Sequence, residues 1–166
     1  MLISSAKGEL SIKLSISHQT GLRPIEMTGE KGLRVKDTHP DQNTITARIT
    51  KGCNPRPPLP ITKELTARLQ THITNHNLKA DDVLFTEKPR EYGKHFRELR
   101  NRLATKSSDP TIRTIRLYDL RHAYCTKQLR RTQNAETVRI IMGHKKLDTT
   151  QKYRHLLGIQ NGEWIV

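Results

Sequence analysis

"IMGHKKLDTTQKY", residues 141–153, closes one helix, turns on a glycine and a histidine, and opens another. Upstream, Asn134 is placed to cap the closing helix and Glu136 lies in its first turn, where a carboxylate complements the helix dipole. Gly143 is the residue type that ends helices in a left-handed turn. Downstream, Asp148 and Gln151 form a capping-box-like pair, and the helix they open carries Tyr153, Leu156 and Leu157 before Gly158 stops it. His144 is thereby set on a short turn between two helices.

Helical spacing continues toward the N-terminus. "DLRHAYCTKQL", residues 119–129, offers Asp119 as a cap and sends Leu120, Tyr124 and Leu129 inward. "YGKHFRELRNRLATK" repeats the scheme with Phe96, Leu99 and Leu103, and "TKELTARLQTHITNHN" with Leu65, Leu69 and Ile73, capped by Thr62 and stopped at Asn75 to Asn77. Between Gly32 and Ile61 the pattern changes. "LRVKD", the turn "THPDQN", "TITARIT", the turn "KGCNPRP" and "LPI" read as three short strands of an antiparallel sheet. The opening "GELSIKLSISHQTGLRPIEM" is ambiguous: Leu10, Ile12, Leu14 and Ile16 alternate as a strand does, yet they also pair at helical spacing, and periodicity alone favours the strand.

The 166 residues fit one domain. Only 33% are hydrophobic and 4% aromatic, so the core is expected to be lean and built of Leu and Ile. Lys and Arg number 30 against 16 acids, a net charge of +14 whose self-repulsion a polyanion would relieve. Nucleic acid is the partner this favours over an anionic membrane or an acidic protein. No apolar run is long enough to span a bilayer and no hydrophobic signal follows Met1, which leads to the expectation of a cytoplasmic chain. Cys53 and Cys125 are too few and too scattered for a four-ligand zinc site. His72 and His76 stand four apart on the expected helix, but with no third ligand near them in sequence they read as a wet surface pair.

"TGLRPIE", "TKG" before "PPLP", "YDLRHAY" and "IMGHKKLDTTQKY" together resemble, in order and context, the tyrosine recombinases of the phage and archaeal integrase family, from about Thr20 to Leu157. The resemblance implies a mainly helical catalytic domain with a small three-stranded antiparallel sheet over 1–157, a tail over 158–166, and no N-terminal DNA-clamp domain. It also implies helix for residues 9 to 17, and that reading is followed against the alternation. Arg23 matches the first catalytic arginine, Glu26 the acid that steadies the site, Lys51 the lysine between the second and third strands, Arg121 the second arginine, His144 the third-block histidine and Tyr153 the nucleophile. Where the family commonly has histidine, three residues before the second arginine, this chain has Tyr118, as some archaeal members do.

Chemistry gives those residue types a purpose. A free phenol has a pKa near 10, so only about a thousandth is phenolate at neutral pH, and its attack on a phosphodiester needs an acceptor or a strong positive field. Two guanidinium forks supply that field and hold the charge of the five-coordinate transition state, one such donor being worth about 3 kcal/mol. Arg121 gains further from standing in the first turn of a helix. Lys51, an ammonium on a flexible stem, suits protonation of the leaving 5′-hydroxyl, and His144 would hydrogen-bond the phosphate. Tyr118 would do the same or exchange a proton with Tyr153. His122, facing away from Arg121, reads as a buried structural histidine. Arg113, Arg116, Lys145 and Lys146 are expected to contact the DNA backbone.

The expected activity is site-specific, metal-independent DNA cleavage and rejoining through a 3′-phosphotyrosine, with no cofactor and no nucleotide. The expected partner is duplex DNA at an attachment site, bound by a homotetramer that is monomeric when free. A type IB topoisomerase, a non-catalytic DNA-binding remnant and a basic RNA-binding protein are the rival classes. Trp164, Ile165 and Val166 can fold back on their own domain or dock on a neighbouring subunit, and the second is favoured. Arg23 and Arg121 must share one anion pocket for any of the recombinase reading to hold.

Overall fold

A computed structural model describes residues 2–48 and 54–146, together with the backbone of 159–160 and 163–164. Its elements in chain order are α1 (Leu2–Ser5), α2 (Gly8–Thr20), α3 (Pro24–Met27), β1 (Thr38–His39), β2 (Thr44–Ile45), β3 (Leu59–Pro60), α4 (Lys63–Asn75), α5 (Pro89–Lys106), α6 (Asp119–Thr132), α7 (Ala135–Met142), β4 (Ile159–Gln160) and β5 (Glu163–Trp164). The chain is thus mainly helical with a small three-stranded antiparallel sheet in the order β1-β2-β3. Lys51, Asp148, Gln151, Tyr153 and the apolar residues 165–166 lie outside the described residues.

The ambiguous opening stretch is the helix α2, and its burial explains the alternation. Ile12, Lys13, Leu14, Ser15, Ile16, Ser17 and Thr20 are all buried, because α2 packs against α4, α5 and α6. A helix covered on several sides has no single apolar stripe for periodicity to find. Its polar residues are satisfied internally: Ser15 and Thr20 donate back to the carbonyls of Ser11 and Ile16, and the Ser17 hydroxyl meets that of Tyr92 at 3.1 Å. The Lys13 ammonium, buried over Phe85 and Tyr92, pairs with Glu87 and with Glu9.

The amphipathic helices follow their sequence pattern. Thr62 caps α4 by accepting from the Leu65 amide, with Leu65 and Leu69 buried and Ile73 partly so. Phe96, Leu99 and Leu103 face the core from α5, which begins at Pro89 rather than at Tyr92 because proline suits the first turn. Asn134 caps α7 by accepting from the Thr137 amide, and Gly143 ends it with φ +65°. Three local readings differ. The Asp119 carboxylate accepts from the Arg116 amide and guanidinium, so that α6 starts at Asp119 with Tyr118 in the cap position. The first strand is Thr38–His39, inside the expected turn, because Arg34 bridges to Val83 and Val35–Asp37 form a turn of 3-10 helix. The second strand is limited to Thr44–Ile45, whose register with Leu59–Pro60 fixes the third. At the C-terminal end, Ile159 pairs with Trp164 in a two-stranded ribbon.

Candidate DNA-phosphate site

Two helix ends meet at the site, and arginines hold them together. The last carbonyls of a helix lack intrahelical donors and carry its negative dipole end. At the end of α2 these include Thr20 and Gly21, and at the end of α7 Ile141 and Met142. Arg121 donates to Gly21 O at 2.5 Å and to Met142 O at 2.8 Å. Arg56 donates to Thr20 O at 2.6 Å and to Ile141 O at 2.7 Å. Each guanidinium therefore bridges both helix ends.

The close approach depends on two glycines. Gly21 turns at φ +64°, and a Cβ on it would lie 2.6 Å from the Tyr124 ring. A Cβ on Gly143 would come within 3.0 Å of the Arg56 side chain and 3.1 Å of Asn54 O. Both positions need left-handed backbone and an open α-carbon, conditions that only glycine meets without strain.

Glu26 is the hub. Its carboxylate accepts the Arg23 amide at 2.6 Å and the Arg23 guanidinium at 3.0 Å, and lies 3.6 Å from Arg56 Nη1 and 3.8 Å from Arg121 Nη1. Glu26 is 1% exposed, and Arg56 and Arg121 are buried with it, whereas the Arg23 side chain is 26% exposed and faces the open edge. Three positive charges surround one negative charge, leaving the cluster an excess of two, the electrostatic signature of an anion pocket. Burial, offset in part by Glu26, lowers Arg56 to about 10, which still leaves it charged at neutral pH. Arg23 and Arg121 thus stand beside one carboxylate, on the same side of the molecule rather than on opposite faces.

Arg56 was not singled out in the sequence. It sits in the Pro-rich turn after Cys53, where an arginine gives no helical or strand signal, and only the meeting of α2 and α7 reveals its partners.

His144 follows Gly143 directly and is buried. Its backbone is fixed by Arg139, whose carbonyl accepts the His144 amide and whose guanidinium donates to the His144 carbonyl. Burial first, then the charges of Arg121, Arg23 and Arg56 against the weaker pull of Glu26, push its pKa down to about 4. The imidazole is therefore neutral at physiological pH, and can donate one hydrogen bond and accept another. The unfolded chain takes up this proton near 6.5, whereas the folded chain refuses it until about pH 4. The resulting stability is present above pH 6.5 and lost as pH falls toward 4. Urea midpoints measured between pH 7 and pH 4 are expected to fall more steeply for the wild-type chain than for His144→Asn.

The remaining expected site residues are more open. Tyr118 is 43% exposed at the start of α6, its ring edge-on to His122 at 4.8 Å. His122 is partly exposed rather than buried, a correction that follows from its place on the same open side as Tyr118. Arg113, Arg116, Lys145 and Lys146 are exposed, with Arg116 held by Asp119. Lys51 falls in the β2–β3 connection and Tyr153 beyond Lys146, both outside the described residues.

The family model described as the phage integrase family matches residues 4–158. The tyrosine recombinase XerA of Saccharolobus solfataricus is 34% identical over 151 residues, which cover 91% of this chain and 46% of that protein. A tyrosine recombinase of Pseudothermotoga lettingae is 27% identical over 147 residues, 88% of this chain and 49% of that protein. The chain spans about half the length of these curated relatives. Among solved structures, a XerA recombinase superposes with a TM-score of 0.71 at 22% identity, covering 96% of this chain and 57% of that one. The Tn1549 transposon integrase, in complex with transposon right end DNA, gives 0.74 at 18% identity, covering 92% and 57%. No helix among the described residues is long and apolar enough to cross a membrane.

Proposed function

The chain belongs to the phage integrase family of tyrosine recombinases, and from that membership we propose that it cleaves and rejoins duplex DNA at a specific attachment site, Tyr153 attacking the scissile phosphorus. The observation that carries the reading is the convergence of Arg23, Arg56 and Arg121 on the Glu26 carboxylate, with neutral His144 among their charges. In the attack, the guanidinium field favours loss of the phenolic proton to solvent, the phenolate oxygen bonds to phosphorus, the P–O5′ bond breaks, and the 5′-oxygen leaves with a proton that Lys51 supplies and regains from solvent. The guanidiniums stabilise the charge gathering on the non-bridging oxygens. Glu26 keeps them from repelling one another before the phosphate arrives. His144 donates a hydrogen bond to the same phosphate, and Tyr118 lies at the open side, where it can add another.

The product, a 3′-phosphotyrosine, keeps the energy of the phosphodiester, so a free 5′-hydroxyl reverses the step without nucleotide. With fixed cations supplying the charge that a metal supplies elsewhere, the step is metal-independent. Exchanging two duplexes requires four strand cleavages, which supports a tetramer on paired sites. The similar Tn1549 integrase, in complex with transposon right end DNA, supports DNA as the partner. The basic surface of Arg113, Arg116, Lys145 and Lys146 is suited to backbone contacts.

A nicked duplex whose 5′-hydroxyl fragment diffuses away after cleavage tests this reading. A DNA-linked protein band that survives boiling and chelator is expected, with the adduct mapped by peptide mass spectrometry to residue 153. No band on a cognate duplex, or a band mapped to another residue, overturns the assignment.

A further inference from the structure

About 18 Å along α2 from Gly21, at the 1.5 Å rise of a helix, its first turn faces the end of α4. There Glu9, His72 and His76 converge: one potential ligand atom from each lies within 4.8 Å of the other two. Glu9 is 63 positions from His72, which explains why the histidine pair looked incomplete in sequence. Nor is the pair a wet surface pair, since His72 is 6% exposed and its ring packs against Phe85.

The hydrogen bonds decide what the two rings can do. His72 Nε2 meets Leu84 O at 2.8 Å, and His76 Nδ1 meets His72 O at 2.9 Å. A carbonyl only accepts, so each of these nitrogens carries the proton, and in the neutral rings the lone pairs sit on Nδ1 of His72 and Nε2 of His76. A ring anchored to a backbone carbonyl through one nitrogen, leaving the other basic, is the arrangement that orients histidines on metals. The i and i+4 positions put both rings on one helical face, with centroids 4.4 Å apart. The Glu9 side chain is 43% exposed, and His76 is exposed as well, so both can move the ångström or so that a metal with bonds of about 2.0–2.2 Å requires.

We propose that Glu9, His72 and His76 form a binding site for a borderline divalent transition-metal ion, Zn²⁺ by ligand chemistry, which clips the start of α2 to the end of α4. Two imidazoles and one carboxylate suit zinc or cobalt better than magnesium or calcium, which seek oxygen. Water completes the coordination from the neighbouring cavity of about 510 Å³. Three cations work against the ion. Lys13 pairs mainly with Glu87, Arg68 is engaged by the Ser11 and Ser15 hydroxyls, and Lys7 lines the cavity. The metal's role is to hold two helices together; it is remote from the phosphate pocket and takes no part in strand cleavage.

The test is a Co²⁺ titration of the full 166-residue chain after chelator treatment, read by visible d–d absorption, with thermal melting in saturating Zn²⁺ alongside. One equivalent of Co²⁺ with a tetrahedral or five-coordinate spectrum is expected, together with a rise in melting temperature. His76→Ala should weaken binding by about 100-fold or more, and Glu9→Gln by about 10-fold; both residues are exposed, and circular dichroism checks that the helices remain. Absence of the bands at millimolar Co²⁺, or wild-type affinity in both variants, overturns the site. Neither result depends on DNA cleavage, so the site and the proposed function fail separately.

Discussion

Tyr153→Phe is expected to form no covalent DNA adduct, its yield on the nicked duplex falling on the order of 10⁴-fold or more, into the background. Phenylalanine keeps the ring but removes the oxygen that, in the proposed mechanism, bonds to phosphorus. The described residues around Glu26 cannot replace it: guanidiniums are not nucleophiles, and a neutral histidine attacking phosphorus would leave a labile phosphoramidate rather than a stable ester. Duplex affinity should stay within a few-fold, since it comes from many backbone contacts and their released counterions. A gel-shift titration and the denaturing gel, run on the same samples, separate the two effects. An adduct that persists in Tyr153→Phe removes the phenol from the mechanism.

Arg121→Lys should lose about 10²–10³ in the rate of adduct formation, the scale of a lost transition-state donor, while binding DNA nearly as well as the parent. Lysine keeps the charge but not the fork. Arg121 spans Gly21 O and Met142 O while standing beside Glu26, and a single ammonium cannot reach both carbonyls and a phosphate in the same planar geometry. Arg121→Ala goes further. It leaves two buried carbonyls without that donor, a loss of about 1–3 kcal/mol each, so urea midpoints should fall as well as the rate. Measuring the single-turnover rate and the urea midpoint for both variants distinguishes electrostatic from structural loss. Equal rates for Arg121→Lys and the wild type would show that the bidentate geometry is not used.

The legible parts of the fold are those whose local chemistry and tertiary role coincide. Thr62 and Asn134 cap helices, and Gly143 ends one, because the residue that satisfies the local backbone also suits the packing. Arg23, Glu26, Arg121 and His144 could be marked by motif, and they do assemble. Legibility failed where distant segments decide. Residues 10–16 alternate like a strand because α2 is enclosed on several sides and has no polar stripe to show. The first strand moved because Val83, far along the chain, pairs with Arg34. Arg56 was invisible because its partners are the carbonyls at two helix ends, a relation that no spacing encodes. Glu9 was missed beside His72 and His76 for the same reason.

Four stretches of chain converge on the Glu26 carboxylate and the helix ends around it: residues 20–26, Arg56, Arg121 and residues 141–144. No subset of them can stand alone, since unmatched guanidiniums repel one another and a lone buried acid has nothing to neutralise it. Under the proposed chemistry, a nascent chain still emerging from the ribosome, or one partly unravelled by heat, would have nowhere to seat a phosphate. On that proposal, unwanted nicking of DNA by half-made copies would be avoided without an inhibitor, because the blade exists only when the whole knife has been assembled.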